Sequence, residues 1–452
     1  MIELDFLFIY EHRVRELENL CLMKYELDKR GYKTEIVYIN SAENAFAVKP
    51  LYHTKVLCMM ACYNNHTLRW HAKDFIKFDK IIDLQWENIV YPKDEQREGA
   101  FKNYAEIGKE VVRVSWGRQN QKRLLEAAHM DPKKVKLTGH VGMDFLRKPL
   151  SRYYLSREEL FRKYQIPTEK KVIVFASPYY GDALEQAYID DMCRRFGADW
   201  TTYYEFMCES QKIVLKWLED LCRKDSDLIV VFRPHPGHPS LMAQELEQKY
   251  DNFKIIAGES VKQWIVTCDK VYTGNSSVVV EAFFAQKMCQ LLFPLPVTEG
   301  YELQLLAGSK KIVNYNEFVD SVYAETEEFP VPCENIEDIY LIDWETPNYM
   351  KFADMAEEVL QNSYYNLPKK LLKTYKNYDF MTRVIKTISQ ITPLYSLYQK
   401  MLQNENLRWE YLEKQRENRR KYIQDEIDDA HEIATQEEIR EIIEKIKKAI
   451  ES

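Results

Sequence analysis

Short apolar runs alternate with helical patterns through most of this chain, and that alternation limits the fold more than any other feature. Leu4 to Tyr10 is a short apolar run suited to a buried parallel strand. Val14 to Arg30 follows with helical spacing, placing Leu17, Leu20, Cys21 and Tyr25 on one face, and Gly31 ends it. Lys33 to Ile39 reads as the second strand. Further strands are expected at Lys55 to Met60, Lys80 to Leu84 and Val111 to Ser115. Strand and helix in alternation predict a parallel sheet covered on both faces.

The pattern breaks near residue 150, in a stretch with glycines and a proline, and then repeats. Ser156 and Glu159 form a capping box that opens a helix. Strands are expected at Lys171 to Ala176 and Leu228 to Phe232, with a helix from Tyr204 to Arg223 between them. Helix, strand, helix and strand then follow through Val271. The expected organisation is a Rossmann-like domain over 1–150, a second over 151–365, closing helices over 366–397 and a charged helical tail over 398–452. The tail ends in Ile439, Ile442, Ile443, Ile446 and Ile450 at helical spacing, opened by Thr435 and Glu438. An amphipathic helix of this kind covers its own core, forms a homo-oligomer or touches a membrane. Its interleaved charges favour packing on protein.

Composition narrows the class. A chain of 452 residues, 46% hydrophobic and 30% charged, suits a globular protein of two domains. A net charge of −8 argues against a general nucleic-acid binder, which needs surplus Lys and Arg to neutralise phosphates. The 9 cysteines are odd in number and hold no CxxC pair, so reduced thiols are expected. The first residues lack a signal-peptide pattern, and no apolar run is long enough to span a bilayer. The expected location is the cytoplasm, with peripheral contact at the inner face of a membrane.

Two segments carry the chemistry. In Leu228–Ser240 (LIVVFRPHPGHPS) an apolar strand ends abruptly in Arg233, Pro234, His235 and Pro236. Ligands of open parallel sheets bind beyond the carboxyl ends of strands. Prolines stiffen this loop, and Arg233 and His235 are both able to donate to phosphate oxygens; a proline turn with a surface histidine is the alternative. In Lys270–Lys287 a strand meets Thr273, Gly274, Asn275, Ser276 and Ser277 before a helix. Small residues let a ligand approach the backbone, and a helix start offers free N–H groups to an anion. Either serine is also able to cap the helix. Glu281, one turn in, either holds a ribose hydroxyl or stabilises the helix start.

RPHP followed by GNSS-x3-EA resembles the donor half of bacterial surface-carbohydrate transferases of the GT-B fold. It is similar to polysialyl- and Kdo-transferases and to CDP-glycerol glycerophosphotransferases, which pair an HP motif with a downstream SS motif. The resemblance spans about 15 to 365, including Trp116, Gly117, Thr138, Gly139 and Asp144. It implies that His235, Ser276 and Ser277 contact the donor phosphate. Gly258, Glu259 and Ser260 resemble the loop that meets the base. The family's acidic motif falls on IIDLQWENIVYP, where its glycine is missing and Glu87 remains as the expected general base; a solvated Glu beside Trp86, or one paired with an Arg, is the alternative. A second charged cluster, Glu11 to Glu16, follows the first strand, where Arg13 would meet an anionic acceptor or solvent.

The sequence therefore predicts an α/β protein of the GT-B type and a metal-independent glycosyltransferase. The resemblance implies that it carries a sugar or polyol phosphate from a CMP- or CDP-linked donor to a glycan or lipid-linked glycan acceptor in surface polysaccharide synthesis. Catalysis is expected from Glu87 and His235, and donor binding from Arg233, His235, Ser260, Asn275, Ser276, Ser277 and Glu281. No resident cofactor, nucleic acid or metal is expected; His66 and His71 are five apart, which is not a helical metal pair. The alternatives are a nucleotide-sugar epimerase of the same architecture and a non-catalytic scaffold.

Overall fold

The computed structural model describes residues 1–39, 50–72, 75–86, 88–93, 104–180, 182, 184, 186–196, 198–235, 240–325, 328–372 and 431–451. The first domain runs β1 (Ile2–Tyr10), α1 (Glu18–Lys29), β2 (Thr34–Tyr38), β3 (Tyr52–Met59), α2 (Asn65–Ala72), β4 (Ile76–Asp83), α3 (Glu106–Glu110), β5 (Val112–Ser115), α4 (Arg118–Glu126) and β6 (Val135–Leu137). Its six strands are parallel, in the order β2-β1-β3-β4-β5-β6. The expected first helix is in two parts. A π turn over Arg13–Leu17 leads into α1.

The second domain runs α5 (Arg157–Lys163), β7 (Lys171–Ala176), α6 (Gln186–Phe196), α7 (Ala198–Lys224), β8 (Leu228–Arg233), α8 (Leu241–Lys249), β9 (Phe253–Ile255), α9 (Val261–Thr267), β10 (Lys270–Thr273), α10 (Val278–Phe284) and β11 (Cys289–Leu291). Five parallel strands take the order β11-β10-β7-β8-β9. All six residues of β8 are buried, as a strand covered on both faces requires. Ser156 caps α5 in the capping box read from the sequence. β6 and β11 are three-residue edge strands that no periodicity announces.

After α11 (Tyr315–Tyr323) and α12 (Cys333–Ile339), the chain crosses back to the first domain as α13 (Asn348–Gln361). There the Lys80 ammonium donates to the carbonyls of Val359 (2.8 Å) and Leu360 (2.5 Å). Arg30 bridges to Asp354 and Glu357. The last helix, α14 (Gln436–Glu451), packs on α1 and buries Ile439, Ile446 and Ala449. Thr435 and Glu438 open it with reciprocal bonds. Arg13, read as meeting either an anionic acceptor or solvent, pairs with Glu438 at 2.7 Å. The Tyr10 hydroxyl donates to the Glu432 carbonyl and accepts from the Ala434 N–H. No helix among the described residues is long and apolar enough to cross a membrane.

The carboxyl edges of the two sheets face each other. Loops after β4 and β5 meet those after β11: Lys93 N–H donates to the Gly300 carbonyl (3.1 Å), Gln119 to Gln304 (2.8 Å). The turn after β6 meets α10. A cleft between parallel sheets, entered from the ends where ligands bind, is the arrangement of the GT-B type.

Candidate active site

In the second sheet the strand order reverses between β7 and β10, which opens a crevice there. Gly274 makes the close approach possible. A Cβ on it would lie 2.9 Å from the Tyr179 hydroxyl and 3.0 Å from Pro178 Cγ, tighter than real side chains tolerate. Thr273 Oγ1 ties the two strand ends together by donating to the Ala176 carbonyl (2.8 Å). Ser276 and Ser277 follow, both half-buried. Ser276 Oγ accepts from the Val278 N–H (3.3 Å), whereas the Ser277 side chain makes no cap bond. The Asn275 amide is engaged by protein: it donates to the Tyr301 carbonyl (2.7 Å) and accepts from the Leu303 N–H (3.0 Å). It holds the loop after β11 against the serines.

At the end of β8 the two predicted donors separate. The Arg233 guanidinium turns into the protein and donates to the carbonyls of Ile256 (2.8 Å), Gly258 and Glu259 (2.7 Å). Burial pulls its pKa down to about 10. It braces the 256–260 loop instead of reaching a phosphate, a role no local pattern reveals because its partners come from another segment. Ser260 caps α9 through the Lys262 N–H (3.1 Å). The His235 ring lies 4.8 Å from that of Tyr180, on the loop after β7. His235 and the serines thus follow β8 and β10, the two strands that flank β7, with the β7 loop between them. Residues 236–239 lie outside the described residues.

The facing wall belongs to the first domain. Asp83 and Arg113 form a wholly buried pair. Asp83 also accepts from the N–H groups of Cys62 (2.7 Å) and Gln85 (2.9 Å), and Arg113 donates to the carbonyl of Gly108 (3.0 Å). One pair therefore fixes the ends of β3, β4 and β5. Gln85 stands at φ 46°, and Asn88 links its carbonyl (2.6 Å) to the Trp116 N–H (3.1 Å). Glu87, between these anchored flanks, lies outside the described residues, as do the side chains of His66 and His71.

A cluster of which sequence reasoning named only Glu281 occupies the cleft between these walls. Glu18, at the start of α1, accepts from the Tyr153 hydroxyl (3.3 Å). Desolvation raises its pKa, and Lys262 opposes that shift from across the cleft. Glu281 behaves the same way, raised by burial and opposed by Lys262. His140 lies against Trp116 (4.1 Å), Trp86 (5.9 Å) and Tyr340 (6.1 Å). Burial, with Lys262 adding to it, lowers its pKa to about 3, so the imidazole is neutral. His140 Nδ1, Trp86 Nε1 and Asn19 Oδ1 are buried without a protein partner among the described residues. Buried polar atoms rarely stay so unless solvent or a ligand serves them. The signal for Glu18 and Lys262 was weak: each reads as an ordinary helical charge. Among the described residues no cluster of His, Cys, Asp or Glu is placed to hold a metal ion.

No protein-family model matches the chain, and no curated protein matches it. Among solved structures it is similar to the wall teichoic acid polymerase TagF, at 14% identity and a TM-score of 0.48, over 79% of this chain and 88% of that one. It is also similar to MnaA of S. aureus, solved with UDP, at 13% identity and a TM-score of 0.42, over 80% and 95%. A glycosyltransferase from Rickettsia africae gives 14% identity and a TM-score of 0.40, over 83% and 98%.

Proposed function

We propose that this protein is a glycosyltransferase that carries a sugar or polyol phosphate from a cytidine-type nucleotide to a glycan acceptor in surface polysaccharide synthesis. One observation carries the reading: two parallel sheets present their carboxyl edges across a cleft, with the Ser276–Ser277 helix start on one wall. In this reading His235, Ser276 and Ser277 hold the donor phosphate, and Glu281 holds the ribose. Ser260 and its loop, braced by Arg233, meet the base. Glu87, on the loop anchored by Asn88, takes the proton from the acceptor hydroxyl as it attacks the anomeric carbon of a sugar donor or the phosphorus of a polyol-phosphate donor. The nucleotide leaves through its phosphate oxygen with the bonding electrons of the broken bond, stabilised by fixed donors in the cleft. The acceptor is a glycan, free or lipid-linked.

The test is turnover of CMP-, CDP-, UDP- and GDP-linked donors by the full chain, with His235→Ala and Ser277→Ala alongside. Cytidine donors are expected to be consumed, and each substitution to slow consumption by about 10²-fold or more. Unchanged turnover in both variants refutes the assignment.

The grouping of Glu18, His140, Lys262 and Glu281 favours a second reading, a nucleotide-sugar epimerase, which needs several acid–base groups and no acceptor. Isomerised donor after incubation without acceptor would select it.

A further inference from the structure

Seven cations are buried among the described residues: Lys80, Arg113, Arg123, Lys134, Arg233, Lys262 and Lys270. Six have partners. Lys80 and Lys270 cap helix-end carbonyls, Arg113 and Lys134 pair with Asp83 and Glu110, Arg123 meets Asn88 and Gln304, and Arg233 meets its three carbonyls. Lys262 is the exception. It is 9% exposed, and its ammonium makes no hydrogen bond or ion pair among the described residues. The ammonium itself keeps contact with solvent, so an anion entering the cleft can reach it.

The ammonium points into the space between the domains. It lies 5.7 Å from the ring of Phe145, in the turn after β6. Its field reaches Glu18 and His140 of the first domain and Glu281 on α10. Neither carboxyl forms an ion pair with it; burial raises the pKa of both, Lys262 opposes that shift, and Glu18 already accepts from a hydroxyl, that of Tyr153. One unpaired cation ringed by hydroxyl-binding groups suits an anionic, hydroxyl-rich ligand.

We propose that Lys262 is the cation of the cleft that receives a phosphate of the bound nucleotide. This rests on the nucleotide-dependent reading above and supplies what it lacks, since Arg233 is turned away. Phosphate accepts a charge-assisted bond from Lys262 while Ser276 and Ser277 approach from α10. Glu281 and Glu18 remain for sugar hydroxyls.

The test is calorimetric titration of the full chain with inorganic pyrophosphate and with CDP, in wild type, Lys262→Met and Lys262→Arg. The methionine variant is expected to bind both about tenfold or more weakly, and the arginine variant to recover most of the loss. Lys262 offsets the charges of Glu18 and Glu281, so the unfolding temperature of each ligand-free variant is measured alongside, and recovery of binding in Lys262→Arg separates lost binding from lost structure. Binding by Lys262→Met within about twofold of wild type overturns the inference and leaves the nucleotide reading standing. Wild type that binds pyrophosphate but no nucleotide, with the loss still seen in Lys262→Met, overturns the nucleotide reading and leaves Lys262 in place. Wild type that binds neither overturns both.

Discussion

Replacing Arg233 by Met separates a bracing arginine from a phosphate-binding one. The change keeps most of the apolar stem and removes the guanidinium that serves Ile256, Gly258 and Glu259. Each orphaned carbonyl costs about 1–3 kcal/mol. Against this, the pKa held at about 10 instead of 12.5 marks a guanidinium already strained by burial, and relieving that returns about 3 kcal/mol. The net local loss centres on about 3 kcal/mol, which corresponds to about a hundredfold faster exchange of loop amides. Hydrogen exchange should show it at Ile256, Lys262 and Gln263, whose N–H groups bond to Phe232, Ser260 Oγ and the Ser260 carbonyl. The distant strands β1 and β3 should keep their protection. Arg233→Met with unaltered exchange in 256–263 and a direct loss of phosphate affinity would refute the bracing role.

Three other outcomes follow from the geometry. His140 protonates near 6.5 when unfolded but only near about 3 in the native state, so the unfolded chain takes up the extra proton. Stability should therefore fall as pH drops from about 6.5, by at most about 1.4 kcal/mol per unit, and denaturation midpoints of His140→Asn should lack that slope; an identical slope refutes it. Gly117→Ala places a methyl inside the backbone of Asp338 and Ile339, so α12 must move and the bond from Leu341 N–H to the Trp116 carbonyl (2.6 Å) is lost. A stability loss of about 1–3 kcal/mol in urea is expected. Ile446→Asp buries a carboxylate against α1 and should release α14; exchange over 436–451 then becomes unprotected while β7 and β8 stay protected.

What was readable in the sequence was local. The capping boxes at Ser156 and Thr435 formed because their partners lie three residues away, within one helical turn. β8 and β10 were legible as apolar runs that stop at polar loops. β6 and β11 were not, since three residues carry no period and their pairing is set by the neighbouring strand. In the site, the serines sit at the predicted helix start, but Asn275 and Arg233 bond to segments far along the chain. Glu18, His140 and Lys262 belong to three separate segments and look unremarkable in each.

By itself the sequence determined two alternating α/β modules and the strand ends from which ligand-binding loops spring. Hydrophobic period and helix capping act over a few residues, so a linear reading captures them. Only the tertiary structure decided which charges are paired: Arg233 with carbonyls after β9, Arg13 with the final helix, and Lys262 set in the field of Glu18 and Glu281 without an ion pair among the described residues. The physical reason is that the solvation of a charge depends on everything within several ångströms, and folding draws those groups from all along the chain.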